Sequence, residues 1–375
     1  MINATRRITV ERIRERNRDL GFRALPRYAS AMLSIRTGIL GFCAALAGLL
    51  SFAAACASSD DRSGFKDGDK ETAKGDSGVF GSSDAGGVVD ENGCSDAAKL
   101  VYVLSYEGDL YSFAPADKKF TKIGPLGCNL TDKQLPISMA VDRSGVAWVN
   151  IATATAGGGR SNTLYKVDTA TAKCEKTNIT SSFIGGMGFS TDEGSKDQET
   201  LFVFGQSGSA QNPTRTLDHV DFANEKVITG PTVSTGAGEL TGTGDGRLYG
   251  FVLHEPQTDS NGKPLLDNLL SITELNKTSG SASAEIVLKG VKFPHDPGFA
   301  FSFWGGDFYV YSAPITIPPD YPFSLPPDDL KDEPTTDVAR YSTTTKTTEP
   351  TYMKAIGFHI VGAGVSTCAP VTGVK

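Results

Sequence analysis

Histidines and carboxylates gather in three proline-flanked stretches late in the chain: His254-Glu255-Pro256, Pro294-His295-Asp296-Pro297 and Pro318-Pro319-Asp320-Tyr321-Pro322-Phe323. Imidazole and carboxylate groups are ligands for divalent metals and partners for proton transfer. One further carboxylate, Glu239, interrupts a Gly-rich apolar run, Gly238-Glu-Leu-Thr-Gly242. Glu239, His254, Glu255, His295, Asp296, Asp320, Tyr321 and Phe323 are therefore the candidates for a binding face or an acid–base site, although polar residues beside proline more commonly form solvated or capping loops. His219 and His359 fall within strand patterns and read as structural. The chain has no Gly-x-Ser-x-Gly elbow, His-Glu-x-x-His pair, P-loop or EF-hand loop, and Gly242-Thr-Gly-Asp-Gly246 joins two strands with no helix following, so it reads as a tight turn. No catalytic residue can be assigned. No cofactor is implied, and a structural or catalytic divalent cation is the one addition these groups would allow.

A repeat organises the elements that must position these residues. Leu164-Tyr-Lys-Val-Asp168-Thr-Ala-Thr-Ala-Lys173 has counterparts starting at Leu110, Leu217, Ile272 and Val338, so that successive starts lie 54, 53, 55 and 66 residues apart. Each copy has apolar residues at its first and fourth positions, followed by a polar turn where Asp or Asn side chains can hold backbone N–H groups. A strand with an aromatic or Val precedes each copy: Tyr102, Trp148, Phe202, Tyr249 and Tyr309 mark them. Ahead of four of those lies a Gly-rich apolar strand, of the kind that can crowd around an axis. The first repeat lacks it, and Phe358-His-Ile-Val-Gly-Ala-Gly364 supplies one at the other end of the chain. A four-stranded unit of ~50 residues repeated radially is a propeller blade, so the expected fold is an all-β, five-bladed propeller over residues 98–370, closed by the C-terminal strand.

Gly108-Asp-Leu-Tyr111, Leu164-Tyr-Lys-Val-Asp168 and Gly246-Arg-Leu-Tyr249 resemble the repeats of YVTN/NHL-like and WD-like β-propeller proteins. They resemble especially those of bacterial lipoproteins with a Ser/Gly/Asp tether. Lactonases, glycosidases, cyclases and binding proteins share these fold motifs, so the resemblance implies architecture and no catalytic residue. In a propeller, loops between second and third strands share a face with the connections between blades. The long connections after Leu253 and Ser312, and Pro294–Pro297 as a blade linker, would thus bring the candidate residues to one side of the disc, with Glu239 near its channel.

The N-terminus gives an address. Gly38 to Ala55 is apolar or small, with roughly 15 apolar residues against the ~20 of a membrane span, and it ends in Ala53-Ala-Ala55-Cys56. This is the pattern of a lipoprotein signal peptide over residues 1–55 in which Cys56 is lipidated; a start at Met32 would give an n-region of ordinary length. Residues 56–97, rich in Gly, Ser, Asp and Lys, read as a disordered tether. The 375-residue chain carries −7 overall; residues 1–55 hold nine Arg against three acids, net +6, which leaves −13 for the rest and argues against nucleic acid as a partner. Four cysteines remain for an exported chain, enough for two disulfides. Cys94 and Cys368 are the first-choice pair, because ring closure brings them to one edge, and Cys128 with Cys174 follows by elimination.

These features together describe a lipoprotein of a bacterial cell envelope, in the outer membrane by preference, facing periplasm or exterior. Its propeller would serve as a binding module for a glycan, peptide or envelope protein. The alternatives are a metal-assisted hydrolase or lactonase-like enzyme, which the scarcity of convergent ligands disfavours, and a purely structural envelope protein.

Overall fold

The computed structural model describes residues 94–373, apart from 157–158, 210–211, 237, 255–256, 259, 261–263, 266–268, 293 and 315–334. The expected signal peptide, the expected lipidation site Cys56 and nearly all of the expected tether lie outside the described residues. A short 3-10 turn, Ala97–Lys99, leads into the first strand.

Among the described residues, alternating apolar patterns and Gly- or Asx-containing turns give twenty-two strands. Twenty of them make five four-stranded antiparallel sheets, each one blade. Blade one contains β1 (Val101–Ser105), β2 (Asp109–Ala114) and β3 (Lys119–Pro125). Blade two is β4 (Gln134–Val141), β5 (Val146–Ala154), β6 (Arg160–Asp168) and β7 (Cys174–Ser181). Blade three is β8 (Met187–Thr191), β9 (Glu199–Ser209), β10 (Asn212–Asp221) and β11 (Lys226–Ile228). Blade four runs from β12 (Glu239–Gly242) to β13 (Leu248–Leu253), then past a small hairpin, β14 (Gln257–Thr258) and β15 (Pro264–Leu265), to β16 (Leu270–Glu274) and β17 (Ile286–Val287). Blade five is β18 (Pro294–Trp304), β19 (Asp307–Pro314), β20 (Asp337–Ser342) and β21 (Thr347–Met353). The last strand, β22 (Ile360–Val365), pairs with β1 through Val103↔Ala363 and Leu104↔Gly362, and so becomes the innermost strand of blade one. The ring closes as the Gly-rich C-terminal pattern predicts.

Every copy of the repeat forms the third strand of its blade and the turn after it. At the ninth position of the five copies stand Lys118, Ala172, Glu225, Gly280 and Lys346, and all five adopt positive φ, between 50° and 70°. Only blade four places the residue suited to that conformation there. The aromatics of the second strands, Tyr102, Trp148, Phe202, Tyr249 and Tyr309, are all buried, as packing residues should be.

The apolar core is divided into five clusters, one at each junction between neighbouring blades. Leu104, Val361, Met139 and Ile151 fill the junction of blades one and two. Trp148, Leu164, Phe189 and Leu201 fill the next, followed by Phe204, Leu217, Leu240 and Leu248. Phe251, Ile272, Phe301 and Phe308 join blades four and five. Val103, Phe113, Tyr311 and Val338 join blade five to blade one, a cluster that also needs Ile360 and Ala363 of β22.

Two disulfides reinforce this arrangement. Cys94–Cys368 ties the segment before β1 to the segment after β22, across 274 residues. Cys128–Cys174, across 46 residues, links the segment following the outer strand of blade one to the start of the outer strand of blade two. Strand twist makes the second bridge possible, because it swings the end of each outer strand over the third-to-fourth-strand turn of the next blade. Gly127 N–H donates there to the Ala172 carbonyl (2.9 Å). Equivalent crossings recur where Asn178 Nδ2 donates to Glu225 Oε2 (2.8 Å) and Lys118 Nζ to the Tyr352 carbonyl (3.0 Å).

Two stability predictions follow from the ring. Removing Cys94–Cys368 (C94S/C368S) should destabilise by about 1–2 kcal/mol more than removing Cys128–Cys174, because the closed loop is longer; denaturant unfolding of the two variants measures the difference. At the shared turn position, Gly280→Ala should cost about 1–3 kcal/mol, since its Cβ would overlap the Thr232 carbonyl as well as occupy positive φ. Exposed Lys346→Gly should instead leave the melting temperature unchanged or raise it.

Candidate functional site

The face on which second strands run into third strands carries the most elaborated connections. On blade four the hairpin β14–β15 lies between β13 and β16, and on blade five the ends of β19 and β20 at this face are joined by residues 315–334, which lie outside the described residues. Glu255, Asp320, Tyr321 and Phe323 lie outside the described residues. Pro294–Pro297, expected as a blade linker, instead opens β18: Pro294 pairs with Pro314, and a bulge separates that pair from Phe299↔Ser312. A bulge accommodates the extra residues that the two prolines prevent from entering a regular ladder. His295 and Asp296 therefore belong to the strand at the same face, while their side chains lie outside the described residues.

His254 follows the end of β13 and is part of a compact polar triangle. Its Nε2 lies 2.6 Å from Glu285 Oε2 and 3.1 Å from Ser271 Oγ, and Ser271 Oγ donates to the same carboxylate oxygen at 2.5 Å. Register explains the meeting: Ser271 pairs with Val287, which sets Glu285 two residues along the neighbouring strand on the same side of the sheet. The residue types suggest a nucleophile relay, but the connectivity does not. A Ser-His-acid relay places the acid on one ring nitrogen and the serine on the other, whereas here both share Nε2 and Ser271 is fully buried. The triangle pins the base of the blade-four connection. Nothing in the sequence marks Ser271 or Glu285, 17 and 31 residues from His254.

Glu239, the first residue of β12, is sealed in the axis at 3% exposure. Ser138 Oγ of β4 donates to its Oε2 at 2.9 Å, and backbone N–H groups of Met187 and Leu240 also reach the carboxyl. Burial drives its pKa well above the ordinary carboxylate value despite these donors, which favours the neutral acid. One side chain thus joins the inner strands of blades two, three and four. Its place near the channel agrees with the sequence pattern, but it offers no group to solvent. Among the described residues, no three His, Cys, Asp or Glu side chains are grouped as metal ligands would be.

A cleft opens between blades four and five on the same face. Its volume is about 120 Å³, and Lys292, Lys354, Asp337, Ser312, Thr351 and Pro350 are among its lining residues. Ser312 and Asp337 are cross-strand partners at the adjoining ends of β19 and β20, and Asp337 Oδ1 accepts the Ala355 N–H at 2.8 Å. Sequence reading missed the cleft because its two lysines stand 62 positions apart in unremarkable surroundings.

On the opposite face, a second, half-buried acid lies at the seam of the ring. Glu199 of β9 accepts from the Arg143 N–H (2.7 Å) and Thr367 Oγ1 (2.6 Å), and Arg143 Nη1 also reaches Thr367 Oγ1 (3.2 Å). Burial raises its pKa to about 7, with Asp142 adding to the shift and the hydrogen bonds and Arg143 opposing it.

No protein-family model and no curated protein matches the chain. Among solved structures it is similar to TolB from Acinetobacter baumannii, at 14% identity over 66% of this chain and 51% of that one, with a TM-score of 0.34. The chain therefore spans about half the length of that TolB. It is similar also to the nidogen/laminin complex, at 10% identity over 71% of this chain and 97% of that one, TM-score 0.35. The tricorn protease aligns at 11% identity over 67% of this chain and 29% of that one, TM-score 0.33.

The seam acid predicts a pH dependence. Between the ordinary value of 4.5 and about 7, folded protein retains a proton on Glu199 that the unfolded chain has released. Stability is thus greatest below that window and falls by up to about 3 kcal/mol as pH rises through it. Glu199→Gln should remove this part of the decline and be the more stable form at pH 8. Urea midpoints from pH 5 to 8 provide the check.

Proposed function

We propose that the protein is an envelope lipoprotein whose propeller is a binding module, presenting the face of the blade-four and blade-five connections to an extracytoplasmic ligand. The carrying observation is the asymmetry of the disc: four strands per blade are kept throughout, and the additions to the plan accumulate on one face of two adjacent blades. Scaffolds commonly carry function on such connections. Two disulfides support an oxidising compartment, and the small residues before Cys56 support attachment through lipid. The His254–Ser271–Glu285 triangle lacks the connectivity of a hydrolytic relay, which favours binding over catalysis. A glycan, a peptide or an envelope protein is the class of partner that this reading accommodates.

Two coupled measurements test it. Cys56→Ser should release the chain from the membrane fraction. Replacing residues 315–334 by a short Gly/Ser linker should abolish capture of envelope components by the otherwise intact, membrane-extracted protein, with the thermal transition retained. Unchanged capture by the linker variant would exclude this face.

A further inference from the structure

We propose that the cleft between blades four and five binds a small monoanionic carboxylate bearing an adjacent hydroxyl, either a free hydroxy acid or a uronate unit of an acidic glycan. The inference rests on the binding-module reading and assigns a site and a ligand class within that face.

Size sets the first limit. At about 120 Å³ the cleft holds the equivalent of roughly four waters, enough for one carboxylate-bearing group and too little for an extended chain. The polar walls belong to fixed elements. Ser312 is buried and faces Asp337 across the β19–β20 ladder, and the Ala355 N–H holds Asp337 Oδ1. Gly290, at φ +76°, brings the connection between the blades against Pro350, where an added Cβ would stand 3.3 Å from Pro350 Cγ.

Charge sets the second limit. Lys292 and Lys354 are exposed, and neither is ion-paired among the described residues. With Asp337 the lining carries net +1, on a chain that carries −13 beyond residue 55. A local positive site on an acidic protein attracts anions selectively. Asp337 refines the choice, because its carboxylate would repel a dianionic phosphate yet can accept a hydroxyl hydrogen through Oδ2. The hydroxyls of Ser312 and Thr351 can donate or accept in turn, while Val291 and Pro350 offer apolar surface to the C–H side of the same ligand. A carboxylate with a neighbouring hydroxyl satisfies all these groups together.

Isothermal titration of the full chain in detergent, with galacturonate, lactate, propionate, alanine and inorganic phosphate as probes, tests the assignment. Galacturonate or lactate should bind at least tenfold more tightly than propionate, alanine or phosphate. Tighter galacturonate would identify a glycan source, and tighter lactate a free hydroxy acid. K292A/K354A should weaken the preferred probe at least tenfold. Asp337→Asn, which keeps an acceptor for the Ala355 N–H, should erase the preference over propionate. Equal binding of all probes, preference for phosphate, absence of binding, or indifference to K292A/K354A would overturn the proposal. Loss of envelope capture on replacing residues 315–334, together with any of those results, would leave the binding-module reading standing and remove only this site.

Discussion

Backbone contact between the inner strands is the constraint on which this ring depends. A Cβ on Gly186 would overlap the main chain of Glu239, one on Gly242 would overlap the Phe189 carbonyl, and one on Gly364 would come within 2.7 Å of Val141 Cγ2. Five twisted sheets can share an axis this narrow only where side chains are omitted on the facing sides. Once the inner strands are that close, the larger residues of the second and third strands meet between blades and form five separate cores. Glu239 is the exception to the small-residue lining. It is tolerated because Ser138 and two backbone N–H groups satisfy a carboxyl whose burial raises its pKa well above the ordinary value.

A closed ring built from one chain has one junction without continuous peptide, and the structure concentrates cross-links there. β22 completes the first sheet, Cys94–Cys368 fixes its ends, and Ser366 Oγ donates to the Ala98 carbonyl at 2.7 Å. Glu199 adds a carboxyl from blade three to Thr367 beyond β22 and to Arg143 of blade two. Three blades therefore meet the terminal segment.

Departures from this regularity are confined to a few places. The scaffold needs only short turns, yet blades four and five carry long connections on one side and leave a polar cleft between them. Blade four ties the base of its connection with His254, Ser271 and Glu285, and blade five fixes one side of the cleft with the Ser312–Asp337 pair.

The amino-acid sequence by itself determined the blade count, the strand order, the closing strand and the turn that ends each third strand. These depend on local alternation and on turn chemistry, which recur in each copy from Leu110 to Val338. The pairing of Cys94 with Cys368 was legible because ring closure is a topological consequence of that repeat. Only the tertiary structure decided the rest. Register set Glu285 beside Ser271 and His254, and the junction of two blades brought Lys292 to Lys354, while the pairing of Cys128 with Cys174, reached in the sequence only by elimination, is explained by strand twist. Proximity across long stretches of chain is fixed by twist and register acting together, and neither leaves a pattern of residue types along the sequence.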